Sequence, residues 1–278
     1  MKRRLMTIAT IGSVALAGNM AITYPVAAAS HKVITQNDDK SLIKAINDSR
    51  RAESDKARDV YRHPLQTLRF FGVKPSQTVI EFYPGKGWYS DILAPLEANS
   101  GNYYAILPDN DAKETAFLQR MAMHPGWYGQ AITLRFNPLE NAVWADGKAD
   151  RVLTFRNVHN LLSAGDDVAA TAFADFYRSL KPGGILGVVE HRLPENENST
   201  LEKTSGYVKK STVIRLAKAA GFIFAGESAI NANPKDTHNW PKGVWTLPPS
   251  LALGTEDQEK YWAIGESDRM TLKFVKPK

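Results

Sequence analysis

Two histidines and one glycine-containing turn are the residues of this sequence whose types and spacing could do chemistry. His159 and His191 each follow an apolar run of the kind that forms a buried strand. A histidine at such a position is either a proton acceptor near neutral pH or a hydrogen-bonded loop residue. The turn Pro84–Gly87 follows another apolar run and precedes a helical pattern. α/β proteins use this arrangement to present backbone N–H groups to a nucleotide-like ligand.

Two common nucleotide motifs fit this turn poorly. A P-loop would need glycine at Ile80 and a hydroxyl residue at Gly87, so that motif is excluded. A dinucleotide fingerprint fits Gly85 and Gly87 but has Ser90 in place of its third glycine. No Gly-x-Ser-x-Gly sequence occurs, which argues against a serine hydrolase. A third kind of ligand is indicated by the order of elements in the rest of the chain.

Strand and helix patterns alternate through most of the chain and must position these residues. Strands are predicted at residues 78–82, 102–107, 132–136, 151–155, 185–189, 223–228 and 270–275. Helices are predicted at residues 88–97, 112–123, 168–180 and 209–220. Apolar strands separated by helices favour a mostly parallel sheet that is covered on both faces. The last two strands are joined by the polar segment 231–268, which is expected to close the substrate side of the site.

Residues 1–29 have the composition of a secretory signal peptide. Lys2, Arg3 and Arg4 form a basic start, an apolar stretch follows, and three alanines precede Ser30. We expect cleavage before Ser30 and a periplasmic or secreted protein, exported by the general or the twin-arginine route. An uncleaved N-terminal anchor is the alternative.

Two further divisions are predicted after the signal peptide. Residues 30–60 form an N-terminal polar and helical segment, in which the charged residues 48–59 are expected to face solvent. Residues 61–278 form one α/β domain, with residues 231–268 as an insertion on the substrate side. Two helical pieces are predicted within residues 41–71, the second beginning near Pro64 and ending at Gly72.

Charge and cysteine content exclude several classes of function. The chain carries 35 basic and 29 acidic residues, a net charge of +6, and the signal peptide holds part of this excess. No long basic run occurs, so no nucleic-acid partner is expected. The absence of cysteine excludes disulfides, thiolate metal sites and cysteine nucleophiles. A small-molecule substrate is expected, with no membrane association once the signal peptide is removed.

The order of these motifs resembles the class I SAM-dependent methyltransferase family (SAM, S-adenosylmethionine). The segments that carry the resemblance are residues 79–87, 149–159, 176–189, 213–222 and 269–275, within a span of about residues 60 to 278. The chain is most similar to a bacterial group of exported methyltransferases, through residues 62–64, 84–89, 187–192, 230–236, 243–249 and 263–270. The resemblance implies a Rossmann-like, seven-stranded, mostly parallel sheet with helices on both faces. It also implies an antiparallel strand near the C-terminal edge, and SAM as the cofactor.

Candidate site residues follow from the resemblance and from the strand ends. The cofactor-binding candidates are Glu81, Tyr83, Gly85, Gly87, Trp88, Asp109 and Asn157. His159 and His191 are the candidate catalytic bases, because methyl transfer requires little beyond alignment and removal of a proton. The substrate-binding candidates are Asn160, Arg192, Asp236, His238, Trp245 and Arg269. No metal is predicted, since His191, Asp236 and His238 lack a ligand spacing typical of a metal site.

The sequence departs from the family pattern at two positions. Tyr83 stands where the family has its first glycine, so the turn is bulkier. The acid that binds the ribose is expected near Leu107, and Asp109 is the nearest substitute. Glu81 fits the acid that organises the methionine end of SAM, or else it accepts backbone N–H groups of the turn.

These patterns predict an exported SAM-dependent methyltransferase that acts on a small molecule. The alternative is a catalytically inactive extracytoplasmic binding protein with a methyltransferase-like fold, because SAM is made in the cytoplasm and fold does not determine function. An NAD-type oxidoreductase would retain the glycine turn but would not explain the C-terminal half.

Overall fold

A sheet of eight strands lies at the centre of the protein, whose computed structural model describes residues 36–108 and 111–278. The strands are β1 (Thr78–Phe82), β2 (Asn102–Pro108), β3 (Ile132–Phe136), β4 (Ala149–Phe155), β5 (Leu180–Leu193), β6 (Val208–Lys209), β7 (Ile223–Ser228) and β8 (Arg269–Val275). Seven of them run in the order β3-β2-β1-β4-β5-β8-β7, and the two-residue β6 pairs with the end of β5. β8 runs antiparallel to both of its neighbours, β5 and β7, and the other pairings in this order are parallel. The predicted sheet, with its antiparallel strand near the C-terminal edge, is confirmed, and β6 was not predicted.

Helices cover both faces of the sheet. They are α1 (Gln36–Ile46), α2 (Glu53–Lys56), α3 (Asp59–Arg62), α4 (Pro64–Phe71), α5 (Ser90–Glu97), α6 (Asp111–Met123), α7 (Pro125–Tyr128), α8 (Val158–Ala164), α9 (Asp166–Ser179), α10 (Lys210–Ala219) and α11 (Gln258–Ile264). The predicted start at Pro64 and stop at Gly72 are confirmed, and Gly72 has a left-handed φ of 70°. The short helices α7, α8 and α11 were not predicted.

The two sheet faces bury separate hydrophobic cores, because successive side chains of a strand point to opposite faces. In β1, Val79 packs with α1, α4 and α5, whereas Ile80 and Phe82 pack with α8, α9 and α10. All three side chains are 0% exposed. The apolar runs of the strands are thus explained by burial on both faces.

The prediction that the charged residues 48–59 face solvent was wrong at Arg51, which is buried. Arg51 is only 1% exposed and forms an ion pair of 2.9 Å with Asp59. The Arg51 guanidinium also lies over the Trp88 ring, 5.1 Å from its centroid, and Arg62 lies over the same ring at 4.6 Å. Trp88 Nε1 donates a hydrogen bond to the carbonyl oxygen of Asp55. Trp88 therefore ties the N-terminal helices to the glycine turn.

Gly187 in β5 provides a test of how tightly the sheet packs against α4. A Cβ at this position would lie 2.7 Å from Cγ of Phe71 and 2.8 Å from Cδ2 of Leu153. We expect Gly187→Ala to lower the free energy of unfolding by about 1–3 kcal/mol, since overpacking forces neighbours to shift. Urea unfolding measures the effect. Gly126→Ala is the control, because its Cβ would have only Arg50 Nη1 nearby, at 3.6 Å, and an equal loss in the two variants would contradict the packing argument.

Within the described residues, none of the helices has the length and apolar character required to cross a lipid bilayer. The predicted signal peptide, residues 1–29, lies outside the described residues.

Candidate functional site

A cavity of about 370 Å³ opens at the carboxyl ends of the central strands. The strand ends contribute Tyr83, Leu107, Phe155 and His191 to its lining. The N-terminal helices contribute Asp55, Arg58 and Arg62, and the segment 231–268 contributes Val244, Trp245, Pro248, Pro249, Ser250, Glu266 and Ser267. Ligands of open α/β sheets bind at this end of the strands.

The glycine turn forms one wall of the cavity. Tyr83, Gly85 and Gly87 all have left-handed backbones, with φ of 53°, 62° and 83°. Gly85 faces open space, whereas a Cβ on Gly87 would lie 2.8 Å from Arg120 Cδ. Tyr83 adopts this uncommon conformation with its ring stacked on Phe82, the centroids being 4.0 Å apart. The turn thus keeps the left-handed backbone that glycine favours, with a tyrosine as the first residue.

Asn157 holds the turn against the end of β4. Its Nδ2 donates to the carbonyl oxygens of Phe82 at 2.9 Å and Tyr83 at 3.2 Å, and Asn157 also lines the cavity. Of the predicted cofactor residues, the cavity lining includes Tyr83, Gly85, Trp88 and Asn157. It does not include Glu81 or Gly87, and Asp109 lies outside the described residues.

Glu81 lies beneath the turn and away from the cavity lining. It is 2% exposed, and its Oε2 accepts hydrogen bonds from Ser90 Oγ and Tyr103 Oη, each at 2.7 Å. Burial, only partly offset by these two hydroxyl groups, raises the pKa of Glu81 to about 7. The carboxyl group accepts hydrogen bonds from these two side-chain hydroxyl groups. In this arrangement it contacts neither the backbone N–H groups of the turn nor a ligand in the cavity.

The raised pKa of Glu81 makes a prediction about stability. Because the folded state binds this proton more tightly than the unfolded chain, stability falls as pH rises from about 4.5 to about 7. Glu81→Gln imitates the protonated acid, so at pH 8 it is expected to raise the free energy of unfolding by up to about 3 kcal/mol. Urea unfolding at pH 5 and pH 8 measures this effect. A variant that gains as much at pH 5 as at pH 8 would contradict the assignment.

His159 and Glu190 form a hydrogen-bonded pair beside the cavity. Glu190 is 0% exposed, and its Oε1 lies 2.9 Å from His159 Nδ1. Backbone N–H groups of Val158, His159 and His191 donate to the two carboxylate oxygens, at 2.6, 3.3 and 2.8 Å. A carboxylate held by so many donors is an acceptor only, so Nδ1 of His159 donates to it, and in the neutral tautomer of the ring Nε2 is the nitrogen with the lone pair. His159 lines the cavity, where Nε2 can accept a proton from a ligand.

His191 is the second histidine of the cavity. Its ring lies 5.4 Å from that of His159, and its Nδ1 lies 2.5 Å from Ser267 Oγ. The pKa of His191 lies well below its ordinary value, first because burial disfavours the charged ring and then because His159 and Arg156 add positive charge. His191 is therefore neutral near pH 7. The sequence placed both histidines here, but it did not indicate that Glu190 orients His159.

His159, Glu190 and His191 also have the spacing of a possible metal site. Their ligand atoms lie within 4.8 Å of one another. Both Glu190 oxygens already accept N–H hydrogen bonds, however, so a cation would have to displace them. Within the described part of the chain, His191, Asp236 and His238 do not form such a group.

The predicted substrate residues fall into two sets. Asn160 and Trp245 line the cavity, whereas Arg192, Asp236, His238 and Arg269 are not among its lining residues. Arg192 instead donates to both carboxylate oxygens of Asp268, at 2.8 and 2.7 Å. Asp236 accepts hydrogen bonds from Tyr207 Oη and Trp240 Nε1. Arg192 and Asp236 thus anchor the segment 231–268 next to the cavity, which explains their polar character without a substrate.

A buried ionic cluster lies at the end of the cavity formed by α3 and the residues before β8. Glu266 pairs with Arg58 at 2.7 Å, with Arg269 at 2.9 Å and with Arg62 at 3.4 Å. Burial alone would raise the pKa of Glu266, but the charges of Arg269, Arg62, Arg156 and Arg58 outweigh it and lower the pKa to about 2. No local sequence pattern indicates this cluster, although its member Arg269 is among the predicted substrate-binding residues.

No protein-family model and no curated protein matches the chain, but solved structures do. A SAM-dependent methyltransferase from Aquifex aeolicus is similar with a TM-score of 0.54 and 15% identity, over 86% of this chain and 98% of that one. A candidate sarcosine dimethylglycine methyltransferase from Galdieria sulphuraria is similar with a TM-score of 0.55 and 13% identity, over 80% of this chain and 85% of that one. The [4+2]-cyclase SpnF is similar with a TM-score of 0.53 and 14% identity, over 88% of this chain and 96% of that one. The chain has the class I methyltransferase fold.

Within this methyltransferase fold, the cavity extends from the glycine turn to the two histidines. Gly85 and Trp88 lie on the wall formed by the turn. His159 follows β4, and His191 lies near the end of β5. The glycine turn and the two histidines therefore line one and the same cavity.

Proposed function

We propose that this protein transfers a methyl group from SAM to a small-molecule nucleophile, with His159 as the general base. The observation that supports this most strongly is that the glycine turn and His159, whose ring is hydrogen-bonded to Glu190, line the same cavity. We also propose that the protein acts outside the cytoplasm. The predicted signal peptide supports this location, and it agrees with the resemblance to the exported bacterial group.

The types of residue that line the cavity suit the binding of SAM. Gly85 leaves open space next to the turn, and Trp88, Phe117 and Tyr83 provide apolar surface for a nucleoside. When bound, SAM would supply a methyl group that its sulfonium has already activated. Asn157 would keep the turn in place, and the segment around Trp245 would exclude water from the cavity.

His159 would remove the proton of the acceptor. The bond from Nδ1 to Glu190 fixes the ring orientation and leaves Nε2 for the acceptor's O–H, N–H or S–H group. Glu190 would also stabilise the imidazolium that forms, since its carboxylate is buried and 2.9 Å away. The hydrogen bond to Ser267 fixes the orientation of His191, whose lowered pKa keeps it from adding a competing charge.

Calorimetric titration with SAM, S-adenosylhomocysteine (SAH) and NAD tests the cofactor assignment. We expect SAM and SAH to bind and NAD not to bind. Binding of NAD alone, or no binding of SAM and SAH at millimolar concentration, would refute the proposal. Arg215→Gln is the control variant, because Arg215 is exposed on α10 and away from the cavity lining.

A binding protein without catalysis remains the second candidate, supported by Tyr83 at the position of a glycine in the turn. Similarity to the [4+2]-cyclase SpnF also illustrates that fold and reaction are separable. Incubation with methyl-labelled SAM and a low-molecular-weight cell extract distinguishes the two candidates. Transfer of the label supports the enzyme, and SAH binding without transfer supports the binding protein.

A further inference from the structure

The ionic cluster beside the cavity contains more positive than negative charge. Glu266 is the carboxylate to which Arg58, Arg62 and Arg269 all pair. Arg156 also lies close enough to lower the pKa of Glu266, and it lines the cavity. Among the described residues, no carboxylate lies within 4.0 Å of the Arg156 guanidinium. A single glutamate thus faces four guanidinium groups.

Three nitrogen atoms of this cluster have no hydrogen-bond partner in the described part of the chain. They are Nη1 of Arg62, Nη2 of Arg58 and Nε of Arg269, all buried, and Arg269 is not among the residues that line the cavity. Arg62 is only 2% exposed and lines the cavity together with Arg58. A buried donor without a partner destabilises a protein, and more so when it is charged. Unpaired, buried guanidinium nitrogens at a cavity therefore indicate an anionic ligand.

The cluster adjoins the acceptor end of the cavity. Ser267 follows Glu266 in the chain and lies 2.5 Å from His191 Nδ1. Arg156 follows the last residue of β4 and precedes the helix that carries His159. A molecule that reaches the Nε2 atom of His159 can thus extend to Arg156 at the same end of the cavity.

We propose that the methyl acceptor carries a carboxylate or phosphate group that binds Arg58, Arg62 and Arg156, while its nucleophilic atom faces His159. This inference rests on the proposed function. The guanidinium group is planar and presents paired N–H donors, which match the oxygens of a carboxylate or phosphate. An uncharged acceptor of the same shape would leave these donors unpaired and would be rejected for that reason.

Binding of simple anions to the SAH-saturated protein tests the proposal, because the carboxylate of SAH then occupies its own site. The probes are benzoate, phenyl phosphate and, as the neutral analogue of benzoate, benzamide, each measured by calorimetry with and without SAH. We expect benzoate or phenyl phosphate to bind at least about tenfold more tightly than benzamide. Arg156→Gln is expected to weaken anion binding about tenfold and to leave SAH binding within about twofold. Arg156 is half-buried and forms no ion pair with any residue that the structure describes, so this variant should fold, and Arg215→Gln is the matched control.

Three results would show which part of the proposal is wrong, the anionic acceptor or the methyltransferase function. Equal affinity for benzoate, phenyl phosphate and benzamide, or anion binding unchanged in Arg156→Gln, overturns the anionic acceptor. Displacement of the anion by SAH, together with weakened SAH binding in Arg156→Gln, assigns the arginines to the cofactor carboxylate and also overturns it. Anion binding that depends on Arg156 in a protein that does not bind SAH refutes the methyltransferase function but supports the anion site.

Discussion

Replacing His159 with glutamine is expected to lower the rate of methyl transfer by about 10²- to 10⁴-fold, the usual contribution of a general base. Glutamine can still donate to Glu190 but cannot accept a proton, so orientation is kept and basicity is lost. The rate is measured as label transferred from methyl-labelled SAM to products in a low-molecular-weight extract. The affinity for SAH should change by less than about twofold, because His159 lies at the acceptor end of the cavity.

His124→Gln serves as the control for this substitution. His124 stacks on Trp127 at 4.8 Å and is not among the residues that line the cavity. The rate of its variant should equal that of the unchanged protein. Equal rates in the His159 and His124 variants would show that His159 is a structural residue.

Glu266→Gln is expected to lower the free energy of unfolding by about 3–5 kcal/mol at pH 7, since it leaves several buried guanidinium groups without a counter-charge. Glu266 is 4% exposed and pairs with Arg58, Arg62 and Arg269. Its folded-state pKa of about 2 lies below the ordinary value of 4.5, so its stabilisation is present above pH 4.5 and is lost as pH falls towards 2. The variant and the unchanged protein should therefore differ less in stability at pH 3 than at pH 7, and should converge only as the pH falls to about 2.

Urea unfolding at pH 7 and pH 3 measures this prediction. Asp257→Asn is the control, because the Asp257–Lys260 pair is exposed and such pairs contribute about 0–1 kcal/mol. A loss at pH 7 no larger than that of the control would contradict the assignment of Glu266 as the counter-ion of the arginines.

The sheet could be predicted from the sequence because its signals are local. The apolar runs, the glycine turn and the stop after Ser179 each depend on a few adjacent residues. The helix α8 was missed because it has seven residues and no side-chain cap at Asn157. It is held instead by Glu190, a residue 32 positions from Val158, and sequence periodicity carries no information about such a contact.

The site was predictable only in part, for the same physical reason. The histidines could be placed because they follow strands whose carboxyl ends meet. The roles of Arg192 and Asp236 could not, because an anchoring side chain and a substrate-binding side chain are both polar loop residues in the sequence. The burial of Arg51 was missed because the aromatic ring that covers it, Trp88, lies in another element.

The ion pair between Arg58 and Glu266 joins residues 208 positions apart, so both ends of the chain are needed to build the cavity. On the ribosome, the arginines emerge long before the glutamate that neutralises them and the strand that follows it. A nascent or truncated chain that lacks Glu266 and β8 thus lacks part of the cavity lining, Glu266 itself included. Since a ligand stabilises only states that bind it, its presence during synthesis would favour finished molecules and would not rescue fragments.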